Sequence, residues 1–171
     1  MQRKDYDRAI EAFTAYIKLA PKDIAGMKDL VVAYRRKGDF ERAAANADQA
    51  TRMNPENAES WNYACWQRAE MGLGLDIALG QCDQGLKLDP AAADLLDSRA
   101  FVHFRRQEWA LAIADDDAAL KIRPKQASSL YVRGLAEGRM GQTGPGDADI
   151  AAAKAIEPKV ADSYVEVGVS P

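Results

Sequence analysis

Leu86-Lys87-Leu88-Asp89-Pro90 returns, altered in spelling, as Leu120-Lys121-Ile122-Arg123-Pro124, and the interval between the two decides the fold. Upstream the same phrase reads Ile17-Lys18-Leu19-Ala20-Pro21 and Thr51-Arg52-Met53-Asn54-Pro55; downstream it reads Ala155-Ile156-Glu157-Pro158. The five prolines stand 34, 35, 34 and 34 residues apart. Proline has no N–H to donate and biases the residue before it away from helical angles, so each one punctuates a helix. A helix stop recurring at that interval predicts a stacked repeat array before any other fold.

Each period reads as two amphipathic helices around a turn. In residues 24–57, Leu30, Val31 and Tyr34 mark one helical face, and Lys37-Gly38-Asp39 interrupts it. Phe40, Ala43, Ala47 and Ala50 mark the next face at spacings of three and four. The turn recurs as Met71-Gly72-Leu73-Gly74, Arg106-Gln107-Glu108 and Met140-Gly141-Gln142. Gly38, Gly72 and Gly141 are placed to end helices in the left-handed conformation, and Asp39 is placed to cap the helix that follows it. Abundant alanine and the scarcity of β-branched pairs such as Val31-Val32 favour helix throughout.

This arrangement is similar to the tetratricopeptide-repeat family, whose pattern is a large residue, a small one, an aromatic, a turn glycine, an aromatic, an alanine and a closing proline. Residues 24–57 resemble it at Leu30, Tyr34, Gly38, Phe40, Ala43, Ala50 and Pro55. Residues 58–92 match at Trp61, Gly72, Ala78 and Pro90, with one extra residue near Gly74. Residues 93–126 match at Leu96, Ala100, Trp109, Ala112, Ala119 and Pro124. Residues 127–160 match at Leu130, Gly134, Gly141, Ala153 and Pro158, but Gly146 stands where the pattern has its second-helix alanine. The resemblance implies an all-α, right-handed superhelical solenoid of antiparallel helix pairs, with about ten helices. The expected division of a single 1–171 array is a half repeat at 1–22, repeats at 23–57, 58–92, 93–126 and 127–158, and a capping helix and tail at 159–171. Small Ala43, Ala78 and Ala112 let helices approach, while Tyr34, Phe40, Trp61 and Trp109 are expected to fill the spaces between them.

Residues 5–19, with Tyr6, Ala9 and Phe13, resemble only the second helix of a repeat. The expectation is a fragment of a longer protein, or an N-terminal helix that pairs with another copy. Apolar residues at 47% and charged residues at 29% suit a folded soluble chain rather than a disordered one. A net charge of −3 gives no basic footprint for nucleic acid. No apolar run approaches the roughly 20 residues of a membrane span, and Met1-Gln2-Arg3-Lys4-Asp5-Tyr6 has no apolar signal core. The compartment stays open: cytoplasmic, or periplasmic if the source is bacterial.

The first helices of successive repeats line the concave groove in this family, where members grip an extended peptide or a helix. Repeat register transfers that role to Lys28, Val32, Arg35, Arg36, Asn62, Trp66, Asp97, Phe101, Phe104, Arg105, Tyr131 and Arg139. Val32, Trp66, Phe101 and Leu135 are equivalent positions and would form an apolar stripe, either a ligand platform or ordinary core. The family's clamp for carboxylate-ended chaperone tails needs asparagine at that position; an apolar residue in all four repeats argues against such a ligand. The expected function is a protein-interaction scaffold for an unidentified protein or peptide, with self-association through the N-terminal helix as the alternative.

Polar residues inside the pattern complete the reading. Arg99 and Arg133 stand where a large apolar residue is usual, and Asp116 where an aromatic is usual, so Asp116 is expected to pair with one of these arginines. Cys65 and Cys82 fall on facing helices of one repeat; the strict geometry of a bond favours two buried thiols over a disulfide. His103, Ser98 and Asp97 share one helix, which cannot aim all three at one substrate. Gly141-Gln142-Thr143-Gly144-Pro145-Gly146 lacks the preceding strand and Lys-Ser/Thr ending of a phosphate loop and reads as a long turn. Asp115-Asp116-Asp117 point three ways on a helix, too divergent for joint chelation. Neither a catalytic centre, a metal nor a cofactor is expected.

Overall fold

The computed structural model describes residues 3–20 and 23–170; Pro21, the first of the registered prolines, lies outside the described residues. Ten helices and no strand occur among them, in the order α1 (Arg3–Leu19), α2 (Ile24–Lys37), α3 (Phe40–Met53), α4 (Ala58–Met71), α5 (Leu75–Leu88), α6 (Ala93–Arg105), α7 (Trp109–Ile122), α8 (Ala127–Arg139), α9 (Thr143–Ile156) and α10 (Val160–Glu166). Each helix packs on the next in sequence as far as α9, and α4, α6 and α8 also lie side by side, the arrangement of a solenoid. Pro55, Pro90, Pro124 and Pro158 all fall in the connections between one hairpin and the next.

The turns follow from the residues that occupy them. Gly38, Gly72 and Gly141 have φ of 83°, 65° and 80°, the left-handed conformation that a side chain disfavours. Gln107 adopts the same conformation, with φ 63°, at the one turn without glycine. Asp39 accepts a hydrogen bond from the Arg42 N–H at 3.3 Å and so caps α3.

Helices meet through small residues. Ala43, Ala47, Ala50, Ala78, Ala112, Ala119 and Ala153 are fully buried. The Gly146 departure has a direct cause: a Cβ there would stand 2.6 Å from the Gly134 carbonyl oxygen, so α8 and α9 cross closer than alanine allows. The 141–146 stretch is not a long turn as expected. Gly141 makes the turn, and α9 already runs from Thr143, since Pro145 sits in a first helical turn whose N–H groups lack intrahelical partners anyway.

Two further expectations fail. Cys65 and Cys82 are bonded, joining α4 to α5 with Cα atoms 5.5 Å apart; the hairpin brings fully buried side chains of facing helices into bonding range. Phe40 does not fill the interior but stays 47% exposed, because its position on the first turn of α3 opens onto the inner face.

Candidate functional site

The sequence-predicted groove residues lie on α2, α4, α6 and α8, and the structure divides them sharply. On α2 the surface is open. Val32 is 46% exposed and Arg36 is accessible, and with Arg35, Phe40, Glu70 and Glu166 they line a cleft of roughly 490 Å³. Arg35 is committed to the neighbouring repeat, donating to Glu70 at 2.6 Å and to Gln67 at 3.1 Å. Arg36 makes no ion pair among the described residues. Lys28 reaches Glu59 at 3.5 Å and lies over the Tyr63 ring.

From α4 onward the inner face is covered. Asp97, Phe101, Phe104 and Tyr131 are buried, so they do not line an open surface as expected. The cover over much of this face is α10. It does more than cap the last hairpin: Tyr164 packs against Trp66 on α4 (centroids 6.4 Å), Phe101 on α6 (5.2 Å) and Tyr131 on α8 (5.0 Å). Phe104 instead stacks on Phe101 and packs at a tilt against Trp109. Trp66 keeps part of its surface exposed, whereas Leu135 is buried, so the expected apolar stripe is platform at one end and core at the other.

Arg105 and Arg139 hold the tail that follows α10. Arg105 donates to the Val167 carbonyl at 2.9 Å and to the carbonyls of Ala69 and Glu70 at 3.1 and 3.2 Å. Both carbonyls belong to the last turn of α4, where Ala69 also accepts the Gly72 N–H and where a cation meets the negative end of the helix dipole. Arg139 donates to the Ser170 carbonyl at 2.9 Å. Asn62, the remaining candidate, accepts from the Ser98 hydroxyl at 2.7 Å.

A polar cluster lies beneath this cover. The Ser129 hydroxyl donates to Asp97 at 2.7 Å. Burial pushes Asp97 up to about 6 against that bond, which favours the ionised form. Asp116 is fully buried with no hydrogen-bond partner at either carboxyl oxygen. Burial first, then the charges of Asp97 and Asp115, holds it well above the ordinary carboxylate range. Tyr164 is raised well above its usual value by burial, then by Asp97 and Asp116.

The expected pairing of Asp116 with Arg99 or Arg133 is therefore wrong, for a geometrical reason. Successive helical residues turn by about 100°, so Asp115 and Asp117 reach the arginines that flank α7 while Asp116 turns inward. Arg99 bonds Asp115 at 2.7 and 2.8 Å and Asp83 at 2.9 Å. Arg133 bonds Asp149 at 2.6 and 3.0 Å and Asp117 at 2.7 Å. Each arginine thus ties the second helix of its own repeat to that of the repeat before. The signal was legible: both arginines have aspartates 16 residues on either side. Asp97, Ser98 and His103 go separate ways, to Ser129, Asn62 and Glu108.

The fold is a helical-hairpin solenoid, and comparison with known proteins agrees. Residues 1–64 match the tetratricopeptide-repeat family model. The chain is 20% identical to TTC0263, a thermophilic TPR protein of Thermus thermophilus, covering 95% of this chain and 89% of that one with a TM-score of 0.71. It is 13% identical to YrrB, a TPR protein with an unusual peptide-binding site, covering 97% and 85% with a TM-score of 0.62. A 71-residue stretch, 42% of the chain, is 31% identical to the heat-shock protein cognate co-chaperone sgt12 of Aspergillus fumigatus; it spans 21% of that protein's length. Residues 1–64 thus match the tetratricopeptide-repeat family, and the whole chain has the fold of solved tetratricopeptide-repeat proteins. No described helix is long and apolar enough to cross a membrane.

Proposed function

We propose that this chain is a protein-interaction scaffold that holds an extended or helical segment of a partner on its inner face, entered at the α2 end. The observation that carries this is the open cleft. Val32 and Phe40, both half-exposed, line one cleft with Arg35 and Arg36, whereas Phe101, Phe104 and Tyr131 further along the same face are buried. Exposed apolar side chains rimmed by charge mark recognition surfaces. The YrrB likeness, to a protein whose peptide-binding site is called unusual, supports a groove reading without carrying a ligand across. The sgt12 likeness raises the chaperone tail as a ligand; the apolar Val32, Trp66, Phe101 and Leu135 at the clamp position argue against it. Pull-down of partners followed by binding to Val32→Asp and Arg36→Glu variants tests the assignment. Loss of binding with unchanged helicity is expected, and unchanged binding to both variants refutes it.

Self-association through α1 is the second reading. It rests on Leu19, 86% exposed, and Tyr16, half-exposed, on that helix. Sedimentation across a concentration range separates the two readings, because a groove for a foreign segment requires no self-association. The buried Cys65–Cys82 bond further favours an oxidising compartment, since such bonds are rare where thiols are kept reduced.

A further inference from the structure

The inner face has two halves in different states: open at α2, occupied at α4, α6 and α8. The occupant is part of the chain itself. Tyr164 takes one aromatic contact from each of three successive first helices, through Trp66, Phe101 and Tyr131, and is only 3% exposed. A helix that merely sealed the last hairpin would touch α8 and α9 and stop; this side chain reaches two repeats further back. Beyond it the tail is gripped by its backbone. Val167 and Ser170 offer carbonyls to Arg105 and Arg139, Gly168 turns with φ 78°, and Val169 is buried between the two catches.

An aromatic anchor, two carbonyl catches and one buried aliphatic residue are how a groove recognises a short peptide. We propose that residues 160–170 are an intramolecular ligand of the groove, and that the partner they compete with carries an aromatic anchor followed by small aliphatic residues. This rests on the groove reading and deepens it by naming the chemistry the groove selects. The carbonyl catches are blind to sequence, so the aromatic anchor sets specificity. Charged side chains are refused where the segment crosses Phe101 and Tyr131, since both are fully buried there.

The segment is built to leave. α10 has seven residues, too few to persist as a helix unsupported. Its docking is also imperfect: the hydroxyls of Tyr164 and Tyr131 are buried without hydrogen-bond partners, and undocking returns them to water. Glu166, on the same helix, lines the open cleft with Arg35 and Arg36, so departure of α10 would join the two halves into one surface.

The test uses the full chain and a fluorescein-labelled synthetic peptide of residues 159–170, read by anisotropy. The unaltered chain should bind it weakly, its groove being filled. A Tyr164→Ala chain should bind it at least about tenfold tighter, because the apparent affinity scales with the fraction of open groove. The same peptide with Tyr164→Ala should bind neither chain. Equal affinity of the two chains for the unaltered peptide overturns the proposal. Should Tyr164→Ala not fold, hydrogen exchange on the unaltered chain decides. Amides of 160–169 should exchange through a local opening while those of α6 and α8 stay protected; exchange of all three together overturns it. Failure here leaves the groove reading standing if Val32→Asp still abolishes partner binding, so the two can fail separately.

Discussion

Replacing Asp97 with asparagine removes a buried charge while leaving an oxygen for the Ser129 hydroxyl to bond. Burial lifts the Asp97 carboxyl from 3.8 to about 6. At 1.36 kcal/mol per unit, that difference is about 3 kcal/mol between neutral and ionised forms in the folded chain. The sign follows from linkage. A carboxyl whose folded value is raised contributes stability that is fully present below its unfolded value and is lost as pH rises through the folded one, here between about pH 4 and pH 6. An asparagine at this position has no proton to lose. The variant and the parent should therefore be equally stable near pH 4, and the variant should be more stable by about 1–3 kcal/mol above pH 7. The lower end of that range allows for Asp116, which the Asp97 charge also pushes upward, so the two sites are coupled. Urea unfolding followed by far-UV circular dichroism at a series of pH values measures the difference directly, provided the urea dependence of both proteins is the same. A difference that does not change with pH, or a variant less stable than the parent at neutral pH, refutes the idea that Asp97 is buried as a costly carboxylate.

Three other perturbations test the framework that holds the inner face. Reducing the Cys65–Cys82 bond, or replacing both with serine, frees a loop of 17 residues and should lower stability by about 3 kcal/mol, read from thermal or urea unfolding with and without reductant. Arg133→Ala strands the half-buried Asp149 and should cost about 2 kcal/mol, whereas Arg123→Ala, whose partner Asp94 is exposed, should cost less than about 1 kcal/mol. Gly146→Ala forces its Cβ onto the Gly134 carbonyl and should destabilise by about 1–3 kcal/mol. Gly80→Ala, with open space around it, should stabilise by about 0.5–1 kcal/mol, and equal effects at both positions would refute the close crossing of α8 and α9.

Much of this protein was legible before any coordinates. Prolines at a fixed interval, turn glycines and alanines at helical spacing are local instructions: each acts through the backbone angles or bulk of its own residue. Hairpins, stacking order and the turns at Gly38, Gly72 and Gly141 therefore followed from residue type. What needed the tertiary structure was everything decided by distance between repeats. The direction of each aspartate in Asp115-Asp116-Asp117 depends on where neighbouring helices stand, and two of the three found arginines while the middle one was left buried without a hydrogen-bond partner. Cys65 and Cys82 needed a Cα separation to become a bond. Phe101 and Phe40 are both aromatic, yet one is core and the other surface, because α10 folds back over α6 and not over the start of α3. Periodicity specifies which face a side chain occupies; whether that face meets water is set by whatever remote segment comes to rest on it.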